Sequence, residues 1–265
     1  MEENLLLIER RERVVWISFN RPERRNALSP LLLFQFAEQM KRLKEGGKVR
    51  CMVLRGAGDK AFSSGYDIGA IPAGASPEML EELRKKNPMA AALEAVRDFP
   101  YPVIAMVNGA AFGAGCELAV ACDIRIAADS ARLGMPPAKL GLVYIPGGLQ
   151  RFVNVIGLAY AKEMFFTGRY YPVARAKEMG LVNYVVPDGE LAAFTEEMAR
   201  EIAGNAPLSL KGMKTTFNAL LRYQKVDPED EKLVQMLVAQ TLGSEDLKEG
   251  RKAFQEKRKP VFQGR

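Results

Sequence analysis

The sequence predicts an α/β protein: repeated strand-helix units with roughly parallel pairing, followed by a helical C-terminal region. Three features of the chain point there. Val103–Val107 is a short β-branched and apolar run that breaks at Asn108-Gly109, crosses a tract of small residues and resumes as an apolar helical pattern up to Asp123. Similar short runs recur at Val14–Phe19, Arg50–Arg55, Ile124–Ala128 and Leu181–Val186, with helix-length segments between most of them. Beyond Asp188 the strand-like runs stop and helical segments follow one another.

The elements follow in order. Val14–Phe19 reads as a strand ended by Asn20-Arg21-Pro22. Ser29 is placed as an N-cap with Pro30 at the first helical position, and the helix runs to about Glu45 before Gly46-Gly47. Arg50–Arg55 is the second strand, and Gly56–Ile68 a loop. Gly69–Pro77 is rich in glycine and proline and predicts a mobile segment, with a helix over Pro77–Arg97. After the central stretch comes the strand Ile124–Ala128. Leu133–Gln150, with three prolines and four glycines close together, reads as irregular. Helices are expected over Gln150–Ile156 and Ala159–Phe166, with Gly157 between them, and over Pro172–Met179, capped by Gly180. Leu181–Val186 is a strand, and helices close the chain at Glu190–Ala203, Pro207–Leu220, Asp227–Leu242 and Glu245–Glu256. This divides the chain into an α/β core, residues 1–190, and a helical region, residues 191–265.

Composition narrows the chemistry. The 265 residues contain no histidine, which removes Ser-His-Asp and Cys-His nucleophilic catalysis and His-based zinc sites. Proton transfer falls to Glu, Asp, Tyr, Lys or Cys. Cys51, Cys116 and Cys122 lie in apolar surroundings without metal spacing, so no metal site is expected and a reducing, cytoplasmic setting is. No apolar run approaches the ~20 residues that span a bilayer, so no membrane partner is expected. The net charge of +6 is dispersed and lacks the interleaved aromatics of an RNA platform. A phosphorylated small molecule explains it more simply than nucleic acid does.

In the central stretch the glycines and alanines let another object approach the backbone, and the first N–H groups of the following helix have no partner inside it. Glu117 is the only charge between Pro102 and Asp123, one turn from those amides. A carboxylate beside free N–H groups suits proton chemistry next to a developing oxyanion. The same pattern also suits a paired structural carboxylate in a tight helix packing.

Several segments, in order and covering nearly the whole chain, together resemble the crotonase (enoyl-CoA hydratase/isomerase) superfamily: FNRPERRNAL (19–28), AFSSGYDI (61–68), residues 105–123, GMPPAKLGL (134–142), TGRYYPVARAKEMGL (167–181) and EGRKAFQEKRKP (249–260). The resemblance implies a crotonase-like spiral of ββα units with a C-terminal helical trimerisation region, assembled as a homotrimer or homohexamer. It also implies an acyl-CoA thioester substrate, with no cofactor beyond the CoA that the substrate carries. The family's oxyanion hole, two backbone N–H groups, falls on Tyr66 and Ala114. Its CoA and substrate contacts fall on Arg25, Ala27, Leu28, Ala61, Ser64, Gly65, Asp67, Ile68, Gly113, Pro136 and Pro137, and a C-terminal lysine that reaches CoA falls on Lys257.

Hydratases of this family hold water between two glutamates. The first matches Glu117; the second falls on Pro137, and no Asp or Glu occurs between Ser130 and Lys162. Within the superfamily, GMPPAKLGLVY (134–144), GYDIGAIPAG (65–74) and the tail EKRKPVFQGR (256–265) resemble methylmalonyl-CoA decarboxylases, which also lack the second carboxylate and carry a tyrosine at the position of Tyr144. Tyr66 departs from that subgroup, which has histidine there. The resemblance therefore implies catalysis by Glu117 and Tyr144, with a decarboxylase-type lyase as the first expectation. A hydratase or isomerase acting on an unusual enoyl-CoA, and a CoA- or RNA-binding protein with weak catalysis, are the alternatives.

Overall fold

The computed structural model describes residues 4–67, 87–222 and 227–264. Two sheets form the core. The larger has six strands in the order β1-β2-β3-β5-β7-β10: β1 (Leu6–Arg11), β2 (Val14–Phe19), β3 (Cys51–Gly56), β5 (Val103–Val107), β7 (Ile124–Ala128) and β10 (Tyr184–Val186). All neighbours in it are parallel except the β1–β2 hairpin. The smaller has the order β4-β6-β8-β9: β4 (Ala61–Ser63), β6 (Ala110–Phe112), β8 (Arg132–Gly134) and β9 (Tyr170–Pro172), with only β8–β9 antiparallel. The chain alternates between the sheets, adding one strand to each and then a helix. The expected spiral of ββα units is therefore the observed architecture.

The expected strands of the large sheet are present because they are the buried ones: Cys51–Leu54 and Val103–Val107 have no exposed residue. β1 is absent from the sequence reading because it is an edge strand; only one of its six residues is fully buried, so it carries no apolar periodicity. Strands of the small sheet are three residues long, too short for a period to register. The strand expected over Leu181–Val186 starts at Tyr184, because Leu181 N–H is spent on Ala176 O, closing the preceding helix.

Helix α1 (Pro30–Glu45) is capped as expected: Ser29 Oγ accepts from Leu32 N–H at 3.3 Å. It buries Leu32, Leu33, Phe36, Met40 and Leu43, and Phe36 meets Phe19 edge-on at 5.5 Å. Helix α2 (Pro88–Asp98), capped by Asn87, packs on α1; the rest of the helix expected from Pro77, and the segment Gly69–Pro77, lie outside the described residues. Helix α3 (Ala114–Ala121) follows β6. The stretch Pro146–Thr167, labelled α4 throughout, is two helical segments that meet at a kink at Gly157, non-helical at φ 73°, as the sequence predicts. α4 begins four residues earlier than expected, at a proline preorganised for a first helical turn. Helix α5 (Val173–Glu178) is followed by Gly180 at φ 78°.

Helix α6 (Leu191–Gly204) lies on the large sheet and buries Leu191, Thr195, Ala199 and Ala203, so the packed core extends past residue 190. Helix α7 (Pro207–Arg222) reaches back to the core through Lys214. This buried lysine donates to Asp123 Oδ2 at 2.8 Å, Tyr101 O at 3.0 Å and Val96 O at 3.2 Å. Helices α8 (Pro228–Leu242) and α9 (Glu245–Gln255) close the chain. Among the described residues no helix is long and apolar enough to cross a membrane.

Candidate active site

Three parallel strands of the small sheet, β4, β6 and β8, lie side by side and each runs into one segment of the site. β4 leads to Gly65-Tyr66, β6 to Gly113-Ala114 and α3, and β8 to Pro136-Pro137. Loops at the carboxyl ends of adjacent parallel strands converge, and that brings together residues distant in sequence.

The first segment is laced to the turn before α1. Leu28 N–H donates to Gly65 O at 2.8 Å and Asp67 N–H to Leu28 O at 3.0 Å, forming a parallel bridge between Leu28 and Tyr66. In such a bridge the central residue's own N–H points the other way, so the Tyr66 amide faces away from Leu28. Ser64 N–H donates to Arg25 O, and Arg21 reaches both Ala27 O and Asp67 Oδ2. Two buried asparagines complete the frame. Asn26 Nδ2 donates to Ala57 O and Ala61 O, while Asn108 pairs with both N–H and C=O of Gly56.

The second segment presses on the first. A Cβ on Gly65 would stand 2.7 Å from Phe112 O and 3.6 Å from Ala114 N, so only glycine permits this approach of the two loops. Ala114 opens α3, and its N–H has no intrahelical partner. Among the described residues neither the Tyr66 nor the Ala114 amide donates to another backbone group.

Glu117 sits one turn into α3 and is 4% exposed. Its Oε2 accepts a hydrogen bond from the Tyr144 hydroxyl, and its Oε1 lies 3.4 Å from Arg151 Nη1. Burial pushes the Glu117 carboxyl above its ordinary range; the Tyr144 hydrogen bond and the Arg151 charge pull partly the other way. The Tyr144 phenol is pushed well above its usual value, first by enclosure of the hydroxyl and then by the Glu117 charge, so the proton stays on the phenol at neutral pH. The Tyr144 ring packs on Phe165 at 5.2 Å and over Gly148, where an added Cβ would meet the ring at 2.3 Å.

Pro137 is buried, Pro136 partly so, and they open a single 3-10 turn (Pro137–Leu140) on which α9 packs. Glu117, Tyr144 and Arg151 share a cavity of about 790 Å³ that runs along α2 to the apolar side chains Leu210, Met213 and Phe217 of α7. The other acids lining it are Glu94, which is exposed, and Asp123, which is engaged by Lys214 and by the Val103 N–H. Neither figures among the charges that reach Glu117.

Tyr66, Gly113, Ala114, Glu117 and Tyr144 thus lie on converging segments. Ala27, Leu28, Ala61, Ser64, Gly65 and Asp67 form the laced frame beside them. The side chain of Arg25 is exposed, with its backbone at φ 51° tied to Ser64. Lys257 is exposed just beyond α9, and no contact among the described residues links it to Glu117. Ile68 lies outside the described residues. Arg151 and Gly148 were missed. Their signal was faint: Gly148 fell in the stretch read as irregular, and Arg151, in the first turn of the helix expected from Gln150, showed nothing to set it apart from a solvated charge. Among the described residues no group of His, Cys, Asp and Glu is placed to hold a metal, and burial pushes all three thiols up to about 12, which leaves them unreactive.

Comparison with known proteins identifies the family and the fold. The model of the enoyl-CoA hydratase/isomerase family matches residues 9–265. A putative enoyl-CoA hydratase/isomerase of Bacillus subtilis is 36% identical over 264 residues, covering 100% of both chains. The structure of a methylmalonyl-CoA decarboxylase in complex with 2-nitronate-propionyl-CoA superposes with a TM-score of 0.91 at 31% identity, covering 98% of this chain and 99% of that one. An enoyl-CoA hydratase from Bacillus anthracis superposes with a TM-score of 0.75 at 35% identity, covering 98% and 100%. With a family match over nearly its whole length and relatives above 30% identity along the entire chain, the protein belongs to the enoyl-CoA hydratase/isomerase (crotonase) family.

Proposed function

We propose that the protein is an acyl-CoA enzyme that stabilises a thioester enolate between the N–H groups of Tyr66 and Ala114, and that it is a lyase of the methylmalonyl-CoA decarboxylase type. One observation carries the choice of reaction: the partners of Glu117 are a phenol and a guanidinium, and no second carboxylate faces it among the described residues. Adding water across a double bond needs a base and a proton donor beside it, the role two carboxylates share in hydratases. Decarboxylation needs neither at the start. The bond from the α-carbon to the carboxylate breaks, CO2 leaves, and the electron pair moves into the thioester carbonyl. The oxygen that gains charge is held by two amides, each worth about 3 kcal/mol in the transition state. Tyr144 then returns a proton to the α-carbon, and Glu117 relays its replacement from solvent. The higher structural likeness to a decarboxylase than to a hydratase of greater sequence identity supports the same reading.

A hydratase or isomerase reaction is the second reading. The Tyr144–Glu117 pair contains one proton donor and one acceptor side by side, and the Bacillus subtilis relative bears that name. The test is a paired assay. Release of CO2 from methylmalonyl-CoA or ethylmalonyl-CoA is expected; good turnover of crotonyl-CoA with no CO2 release from either would replace the first reading by the second.

For assembly we propose a homotrimer or homohexamer built through residues 191–265. α7 and α8 expose Leu208, Phe217, Leu220 and Met236, apolar side chains of the kind that an interface between copies would cover. Light scattering is expected to give three or six copies. Arg25, Ser64 and Lys257 are proposed as CoA contacts, and the reaction is proposed to need no added cofactor.

A further inference from the structure

We infer that Arg151 is a positioning residue for the candidate base: it anchors Glu117 Oε1 and holds the acid ionised, so that Oε2 remains the acceptor for the Tyr144 hydroxyl. This rests on the acyl-CoA reading of the same site. One nitrogen of the guanidinium, Nη1, is held between two acceptors. The arginine stands in the first turns of α4, and its Nη1 donates to Gly147 O at 2.7 Å while lying 3.4 Å from Glu117 Oε1. Its side chain is 32% exposed against 5% for Glu117, so the guanidinium keeps water on one face and meets an enclosed carboxylate on the other. Neither Nε nor Nη2 has a hydrogen-bond partner among the described residues.

The arrangement assigns each carboxylate oxygen one task. A buried carboxylate with the phenol as its sole partner has two ways to share one proton, and protonation of the acid would turn Tyr144 from donor to acceptor. A cation at Oε1 favours the charged acid and removes that ambiguity. It also offsets the repulsion that an anionic acyl group would meet beside Glu117. Among the described residues no other cation competes for the place. Among the described residues, the remaining ionisable groups lining the cavity are Glu94 and Arg97 on α2, Cys122, whose thiol is kept neutral by burial, Asp123 and Arg125 at β7, and Lys214 on α7. Lys214 is bound to Asp123, Arg97 to Asp98, and Arg125 to the carbonyls of Leu181 and Cys122. Cys116, beside Glu117 on α3, stays a neutral thiol.

The test follows the carboxyl of Glu117 directly, by difference infrared titration of the full-length protein, with Glu117→Gln identifying the band. In Arg151→Met the carboxyl is expected to titrate about one unit higher than in the wild type, and Arg151→Lys to recover most of that shift. In parallel, the acid limb of kcat for the thioester reaction should move by the same amount, about tenfold in rate below it, with KM little changed. If Arg151→Met does not fold, Arg151→Gln is titrated in its place. A carboxyl that titrates within roughly 0.3 units of wild type in the folded variant overturns the inference. Should no thioester be turned over, the infrared titration still decides the role of Arg151, and the failure belongs to the acyl-CoA reading alone.

Discussion

Replacing Gly148 by alanine should do the opposite of what a helix normally does with that change. In a helix interior alanine is favoured over glycine by about 1 kcal/mol. Gly148 lies in α4, so on propensity alone the variant gains stability. The new Cβ, however, would stand 2.3 Å from Tyr144 Cε1, 2.6 Å from Cδ1 and 3.1 Å from Glu117 Oε1. Carbon atoms settle at roughly 3.5–4.0 Å, so the ring must retreat by about 1 Å. Phe165, 5.2 Å away, and the hydroxyl's hydrogen bond to Glu117 both oppose that retreat. Overpacking of this kind costs about 1–3 kcal/mol, so the net effect is a loss of up to ~2 kcal/mol. A 1 Å displacement of a proton donor costs about 100-fold in rate. Urea unfolding and thioester turnover measure the two. The control is the same change in a Tyr144→Ala background, where no ring is left to strike and only the 3.1 Å approach to Glu117 Oε1 remains; there Gly148→Ala should cost much less than in the wild-type background. If the single variant is as stable and as active as wild type, the ring does not lie over Gly148 and the site described above is wrong.

Three further outcomes are expected. Tyr144→Phe keeps the ring and removes the donor, so turnover should fall about 100-fold or more while the fold persists; retained turnover would exclude the phenol as proton source. Folding raises the Glu117 pKa above the ordinary 4.5 of an exposed glutamate, so the native state keeps this proton where the unfolded chain releases it, and the group's stabilisation is full below that pH and lost as pH rises through the raised value. Glu117→Gln should therefore gain stability relative to wild type as pH rises through that window, read by urea unfolding at several pH values; a flat or falling difference contradicts the shift. Lys214→Met leaves Asp123 with only the Val103 N–H, and should cost roughly 2–3 kcal/mol, below the ~3–5 of a fully enclosed pair because Asp123 is about one-third exposed; unchanged unfolding would show that the lysine does not fasten α7 to the core.

The parts of the fold legible in the sequence are those where burial and chain direction coincide. β5 is a continuous apolar run because both faces are covered, β3 is apolar from Cys51 to Leu54, β7 is interrupted only by the buried Arg125, and Ser29-Pro30 announces α1 through chemistry confined to two residues. The short strands of the second sheet were invisible for a physical reason. β4, β6 and β8 are held by neighbours far along the chain, and three residues cannot display a period. The site divides in the same way. Glu117 stood out because a lone charge in an apolar helix is costly unless used. Tyr66 and Ala114 were reached only through the family resemblance, since a backbone donor has no side chain to betray it. Arg151 was missed because what gives it meaning is a contact 34 positions away, across the turn that begins at Pro146. Asn26 and Asn108 looked like punctuation; each is in fact a clamp that ties a loop of the site to the end of β3.

The left-handed backbone at Gly157 divides α4 into two straight rods. The first carries Gly148 and Arg151, and the second carries Phe165, the aromatic wall behind Tyr144. A single torsion thus sets the spacing between the guanidinium and the aromatic backstop. Any residue with a side chain there would swing one rod against the other, and both neighbours of the acid would lose alignment together although neither had been altered.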